Sequence, residues 1–209
     1  MSCFRECARL LLALVVLTGA TSCSRLGQTG DEAQVAQAFD SWKSAVINHQ
    51  TNQEMAYIPS HVDDYLHALN SPVVDTAPAA TVPPSASPGV DLLLRTALEK
   101  KVPPDLRAHL TMAALLQRIT ERNLLSAHNV QQIALGHVSV MGNRASAEVY
   151  YQGTLTALRL PFVKEGDAWK IDVMALLPYA EVLMRVDRAI KGETEAEQVD
   201  QIVSKLPVL

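Results

Sequence analysis

Four short segments between residues 133 and 173 alternate apolar and polar side chains, and they constrain the fold most strongly. The alternation runs through residues 133–140, 145–151, 158–162 and 169–173. A period of two predicts β-strands with one buried face. Turns at Gly142, Gly153 and Gly166 separate the segments, so the strands are expected to form an antiparallel meander. Gly136 lies where the alternation changes phase, which predicts a β-bulge.

Apolar residues at helical spacing predict helices on both sides of the sheet. We expect helices at about 31–49, from Ser60 to about Leu69, and at about 90–101, 105–125, 178–191 and 194–205. Pro178 suits the first turn of one helix, and Gly192 suits the position just after its end.

A proline-rich segment at 71–89 separates the second helix from the third. Proline fixes φ and lacks the backbone N–H, so this segment is predicted to be a loop. The helices before it are too few to form a core alone. Residues 31–209 are therefore predicted to form one α+β domain, with N-terminal helices packed on a curved four-stranded sheet.

The N-terminus predicts export. Arg5 and Arg9 precede an apolar run at 10–17, and small residues follow at 18–22. A positive start, an apolar core and small residues are typical of a secretory signal. The apolar run is too short to cross a bilayer, which needs about 20 residues. Residues 1–22 are therefore predicted to be a signal peptide.

The end of the signal, Thr18-Gly19-Ala20-Thr21-Ser22-Cys23, resembles the bacterial lipobox. The resemblance implies that lipid is attached to Cys23, which would anchor the protein to a membrane through a tether at 23–30. Ser24 after the cysteine favours the outer membrane in such proteins, with the domain facing the periplasm. The family usually has Leu at the position of Ala20, so the alternative is cleavage near Ala20 and a secreted soluble product.

Composition limits the classes of partner. Removal of the signal leaves 187 of the 209 residues, enough for one domain with a core. The net charge of −4 becomes −5 when Arg5, Arg9 and Glu6 are removed. No cluster of Lys and Arg stands out, so nucleic acid is not an expected partner. Cys3 and Cys7 leave with the signal, so no internal disulfide is expected.

The order of elements resembles that of the NTF2-like (cystatin-like) superfamily, in which helices precede an antiparallel meander. The meander here contains an apolar strand, a turn at Glu165-Gly166 and a strand with Trp169-Lys170-Ile171, a pattern frequent in that superfamily. The likeness covers about 31–69 and 128–175. It implies a sheet curled around helices and a conical cavity, the usual ligand site of this fold. The superfamily includes dehydratases, isomerases and non-enzymes, so fold alone does not decide function. The proline-rich loop and the additional helices depart from the pattern.

A cluster of polar side chains at the start of the second helix is a candidate metal site. Imidazole and carboxylate suit transition metals, and His61, Asp64 and His67 are the candidate ligands. Positions i, i+3 and i+6 turn through about 240° of a helix, so the three side chains do not converge. With Asp63, the cluster is more typical of a solvated helix start favoured by the helix dipole. No metal site is expected.

Tyrosines and carboxylates are the candidates for acid–base chemistry in a cavity. They are Asp40, Tyr57, Tyr65, Glu148, Tyr150 and Asp172. A catalytic carboxylate requires burial that raises its pKa. The strand alternation places Glu148, Tyr150 and Asp172 opposite the apolar residues, which favours a solvated outer face. Trp42 and Trp169 are in phase with apolar residues and are predicted to anchor the core.

The sequence lacks a nucleophile elbow, a phosphate-binding glycine loop, a zinc motif and a dinucleotide fingerprint. His109, His128 and His137 have no evident partner in sequence. No catalytic residue and no cofactor is expected.

Three functions remain open. The first hypothesis is a non-enzymatic envelope lipoprotein that binds a small apolar ligand or an envelope protein. The alternatives are a dehydratase- or isomerase-type enzyme, and an accessory of a secretion or envelope complex that docks through the helices at about 178–205.

Overall fold

A computed structural model describes residues 30–70, 87–122 and 126–208 of the chain. The predicted signal peptide, Cys23 and most of the proline-rich loop lie outside these ranges. Within them the protein is α+β, with nine α-helices and one four-stranded antiparallel sheet.

Seven helices precede the sheet and two follow it in the described ranges. The first seven are α1 (Gly30–Ile47), α2 (Thr51–Met55), α3 (His61–Asn70), α4 (Pro88–Lys101), α5 (Pro104–Arg107), α6 (Met112–Glu121) and α7 (Ala127–Gln131). A 3-10 helix (Val173–Leu176), α8 (Leu177–Lys191) and α9 (Glu195–Lys205) follow the sheet. Gly192 ends α8 in the left-handed conformation, with φ of 68°, as the sequence predicts.

The predicted meander is confirmed. Its strands are β1 (Ile133–Met141), β2 (Arg144–Tyr151), β3 (Thr154–Glu165) and β4 (Ala168–Ile171), paired in chain order. The register shifts between Leu135 and Val138, so the predicted bulge at Gly136 is present. A Cβ at Gly136 would lie 2.5 Å from Cε2 of Tyr150, which explains why glycine is required there.

The main core lies between α1 and one face of the sheet. Val35 and Phe39 of α1 pack against buried strand residues, and Trp169 of β4 belongs to the same cluster. Trp42 is partly buried against this cluster, and its ring centroid lies 5.7 Å from that of Phe39. The prediction that both tryptophans anchor the core is confirmed.

The long helix predicted at 105–125 is interrupted. α5 ends at Arg107 and α6 begins at Met112, with the fully buried Leu110 between them. Thr111 is the N-cap of α6, and its hydroxyl accepts a hydrogen bond from the N–H of Ala114 at 3.1 Å. The break leaves Leu110 buried between the two helices, and Thr111 gives α6 a favourable N-cap.

One boundary differs from the prediction, and the short helices α2 and α7 are additional to it. α4 begins at Pro88, so Pro88 and Gly89 belong to a helix and not to the loop predicted to end at residue 89. Proline fits because the first N–H groups of a helix have no partner within it. The short helix α2 was not predicted, because five residues are too few to show a helical period.

Candidate functional site

A second apolar cluster lies among the helices, away from the sheet. Leu66 and Leu69 of α3 face Leu98 of α4, with Val102 and Leu110 from the segments that follow α4. The spacing of Val62, Leu66 and Leu69 places them on one face of α3, and all three are buried.

A cavity of about 360 Å³ adjoins this second cluster. It lies among α3, α4, α6, the 3-10 helix, the start of α8 and the chain after α9. Its lining consists of Val62, Tyr65, Leu66, Leu69, Leu94, Ala97, Leu98, Lys101, Val102, Met112, Leu115, Ile119, Val173, Met174, Leu177, Leu206 and Pro207. No strand residue is among these. The pocket therefore differs in position from the sheet-walled cavity that the NTF2-like resemblance implies.

The walls of the cavity are almost entirely apolar. Tyr65 and Lys101 are the two polar residues in the described lining. The Tyr65 phenol donates a hydrogen bond to Oδ1 of Asp91, and burial together with this bond raises the pKa of Tyr65. The Tyr65 hydroxyl is thus already hydrogen-bonded to Asp91, so a ligand in the cavity would contact the Tyr65 ring.

Several of the lining side chains are incompletely buried. Leu94, Met112, Leu115 and Leu177 are half-buried, and Leu206 is 41% exposed. Each of these cavity-lining side chains therefore keeps apolar surface that protein atoms do not cover. Filling the space with an apolar molecule would remove them from water, which is the main favourable term in such binding.

Two buried polar side chains hold α8 against α4 and α9. Glu181 of α8 is buried, and its Oε2 accepts a hydrogen bond from the N–H of Val90 at 3.0 Å. Gln198 of α9 is also buried and donates from Nε2 to the carbonyl of Met184 at 2.9 Å. These contacts position α4, α8 and α9 relative to one another.

The residues of the predicted polar cluster on α3 make structural contacts. Asp63 accepts a hydrogen bond from the N–H of Met112 at 2.7 Å, which supports the start of α6. His61 lies between two carboxylates, with Nδ1 3.8 Å from Glu165 and Nε2 3.7 Å from Asp172. In the described ranges, no three His, Cys, Asp or Glu side chains group closely enough to hold a metal ion.

The expectation that Asp172 faces solvent is wrong. Asp172 is only 7% exposed, because it follows the end of β4 and turns back to accept a hydrogen bond from the N–H of Ala175 at 3.2 Å. It caps the 3-10 helix. Sequence alternation missed this because the strand ends at Ile171, so its period no longer applies.

The other acid–base candidates are dispersed. Glu148 lies on the outer face of the sheet, where it accepts from the N–H of His137 at 3.3 Å and lies 3.7 Å from Arg159. Tyr57 packs against the main core and Asp40 is exposed. Of the six candidates, only Tyr65 lines the cavity.

A larger depression of about 750 Å³ lies between α2 and α6. It is open to solvent, and polar side chains line it, among them Gln53, Gln117 and Glu121. The walls of this depression would enclose little of a ligand. The apolar cavity is therefore the better candidate for a ligand site.

Comparison with family models, with curated proteins and with solved structures finds nothing that matches this chain. Among the described helices, none is both long enough and apolar enough to cross a membrane.

Proposed function

We propose that this protein is a non-enzymatic binding module for a small apolar ligand, held at the cell envelope by lipid on Cys23. The observation that carries the binding part is the apolar cavity of about 360 Å³ among the helices. The anchor part rests on the lipobox-like sequence that ends at Cys23.

The size and chemistry of the cavity support this proposal. Ligand pockets have volumes of roughly 300–1,000 Å³ and mostly apolar walls with few polar groups. An apolar cavity of about 150 Å³ in another protein stays dry and binds benzene. The present cavity, at about 360 Å³, has room for a larger molecule.

The charge of the lining favours binding over the dehydratase or isomerase alternative. Acid–base catalysis next to a carbonyl needs a carboxylate that reaches the substrate. No Asp or Glu is among the described residues that line the cavity. Tyr65 is present, but its hydroxyl is engaged by Asp91.

The NTF2-like architecture also remains a proposal. The packing of α1 on an antiparallel meander of four strands supports it. On this proposal, the helices at 88–121 and 177–205 are additions that create a second, helical layer, and the ligand site has moved into that layer.

A cavity-filling substitution tests the binding proposal. Ala97 of α4 lines the cavity, so Ala97→Phe should occupy part of it and weaken binding of hexadecan-1-ol by about tenfold or more. Ala196→Phe is the matched control, because Ala196 is exposed on α9. Equal binding by wild type and both variants, or no binding by wild type, would refute the proposal.

The anchor is tested separately. Cys23→Ser should release the protein from the membrane fraction and abolish incorporation of a radiolabelled fatty acid. If the Cys23→Ser protein stays in the membrane fraction, or if the wild type takes up no label, lipidation at Cys23 is wrong. The membrane fraction that holds the wild type, inner or outer, tests the expectation from Ser24.

The exposed face of α8 supports the alternative in which the protein is an accessory of a secretion or envelope complex. α8 exposes apolar side chains at helical spacing, with Val182, Leu183 and Val186 about half exposed and Ile190 80% exposed. Its proposed occupant is an apolar face of an envelope protein. Val186→Glu would abolish cross-links to that partner in cells and leave ligand binding intact, since Val186 is outside the cavity lining. Unchanged cross-links would remove this alternative.

A further inference from the structure

Lys101 is the single charged residue in the described lining of the apolar cavity. It is the last residue of α4 and is half-buried. Its neighbour Lys100 is exposed, and the Lys100 ammonium lies 2.8 Å from Asp200. Lys101 has no hydrogen-bond or ion-pair partner among the residues that the structure describes.

The rest of the lining determines where the two ends of Lys101 lie. A charged ammonium is not buried in an apolar space without a partner, whereas the methylene stem of lysine packs readily against apolar surface. We therefore expect the stem of Lys101 to contribute to the wall and its ammonium to lie at the rim, in contact with water. On this expectation, the cavity combines an apolar interior with one cation at its mouth.

We infer that the ligand is a single-chain carboxylic acid of the fatty-acid class, with its chain in the cavity and its carboxylate beside Lys101. This inference rests on the proposed ligand-binding function. A volume of about 360 Å³ is at the lower end of the range for ligand pockets, which suits one acyl chain better than a two-chain lipid. A neutral alcohol of the same length gains the apolar contacts but not the charge contact.

The test compares hexadecanoic acid with hexadecan-1-ol, each titrated into the full chain at slightly alkaline pH. Lys101→Met keeps a long apolar stem and removes the charge. Lys100→Met is the matched control, one residue away and outside the lining. We expect the acid to bind wild type more tightly than the alcohol. Lys101→Met should lose about fivefold to tenfold in affinity for the acid, the strength of a partly exposed charge contact. Its affinity for the alcohol should fall much less than its affinity for the acid, because methionine keeps an apolar stem in the wall, and Lys100→Met should bind both compounds as wild type does.

The outcomes separate the two proposals. If neither compound binds wild type, the binding function itself fails. If both bind equally and Lys101→Met binds the acid as wild type does, the cavity binds apolar chains and the carboxylate inference is overturned. If a lysophospholipid binds much more tightly than the acid and depends on Lys101, the anionic group is a phosphate and the fatty-acid assignment is wrong. Loss of acid binding in Lys100→Met as well would point to general surface charge and would also overturn the inference.

Discussion

The carboxylate of Glu181 accepts a hydrogen bond from the backbone N–H of Val90, and this contact joins α8 to the first turn of α4. The two helices approach closely here, since a Cβ at Gly89 would lie 3.0 Å from Oε2 of Glu181. Glu181 is only 4% exposed, so the bond is shielded from water. A carboxylate at a helix N-terminus also meets the positive end of the helix dipole. Both helices border the cavity, so this contact helps to maintain its walls.

Removing the Glu181 carboxylate should destabilise the protein. Glu181→Ala leaves the N–H of Val90 buried without its acceptor, which should lower the free energy of unfolding by about 1–3 kcal/mol. Urea denaturation measures this change. Glu99→Ala is the control, because Glu99 is exposed on α4, the helix that contains Val90, and its loss should cost less than about 0.5 kcal/mol. Equal effects of the two substitutions would contradict the role given to Glu181.

Tyr65 should ionise above the ordinary pH range of a tyrosine. Burial and the bond to Asp91 raise the pKa of Tyr65, so a spectrophotometric titration should show one late ionisation step, above the ordinary pKa of tyrosine. The folded-state pKa of Tyr65 lies above its unfolded-state pKa. The contribution of neutral Tyr65 to the free energy of unfolding is therefore complete below the unfolded-state pKa, and it is lost as pH rises from that value towards the folded-state pKa. Tyr65→Phe should remove the late step. A late step that persists in Tyr65→Phe would assign it to another residue.

Much of the fold could be predicted, because strands and helices leave different periods in a sequence. The strand order, the bulge at Gly136 and the end of α8 at Gly192 follow from alternation and from local glycine chemistry. The break before α6 has a local signal, since Thr111 precedes an apolar run as an N-cap residue does. Apolar spacing alone continues across this point and therefore predicts an unbroken helix.

Glu54 should make the protein less stable as pH rises. It is 1% exposed, and neither carboxylate oxygen has a hydrogen-bond partner in the described structure. Burial raises the pKa of Glu54, and a nearby His49 opposes this only in part. Above the ordinary pKa of glutamate the unfolded chain loses the proton first, so stability falls as pH rises towards the folded-state pKa.

Substitution isolates this effect. At neutral pH, Glu54→Gln should be more stable than wild type, because the uncharged amide costs less to bury than an unpaired carboxylate. In acid, below the ordinary pKa of glutamate, the difference should vanish. Thermal melts across this pH range measure it, with Glu99→Gln as an exposed control. A Glu54→Gln protein that is less stable than wild type at neutral pH would show that the charge is compensated.

Asp31 should have the opposite dependence on pH. Its carboxylate lies 2.7 Å from Nζ of Lys164 and accepts from Nε1 of Trp169 at 3.3 Å, and both contacts lower the pKa of Asp31. The folded-state pKa of Asp31 is then below its unfolded-state pKa. The ionised carboxylate therefore stabilises the fold above the unfolded-state pKa, and this stabilisation is lost as pH falls through the folded-state pKa.

Asp31→Asn should therefore lower the urea midpoint at neutral pH, and the difference from wild type should shrink in acid. Asp105→Asn is the control, because Asp105 is an exposed acid in the first turn of α5. Tryptophan fluorescence should report the change directly, since Trp169 contacts Asp31. A deficit that stays constant with pH would mean that the carboxylate charge is not responsible.

The site was harder to predict than the fold. Apolar stripes on α3, α4 and α6 are visible in the sequence, but periodicity does not say which stripes meet or whether they leave a space. Val62 and Leu177 are far apart in sequence and line the same cavity, which only the tertiary packing shows. The position of Lys101 at that cavity had no sequence signal, because a lysine in the last turn of a helix is common.

The most direct test of the central claim is native mass spectrometry of the protein purified from a bacterial envelope without denaturation. Wild type and Ala196→Phe should each carry an additional discrete mass that denaturation releases, and Ala97→Phe should lack it. A wild-type protein that has only its own mass, and that takes up neither hexadecanoic acid nor hexadecan-1-ol on incubation, would contradict the claim that the helical cavity binds an apolar ligand.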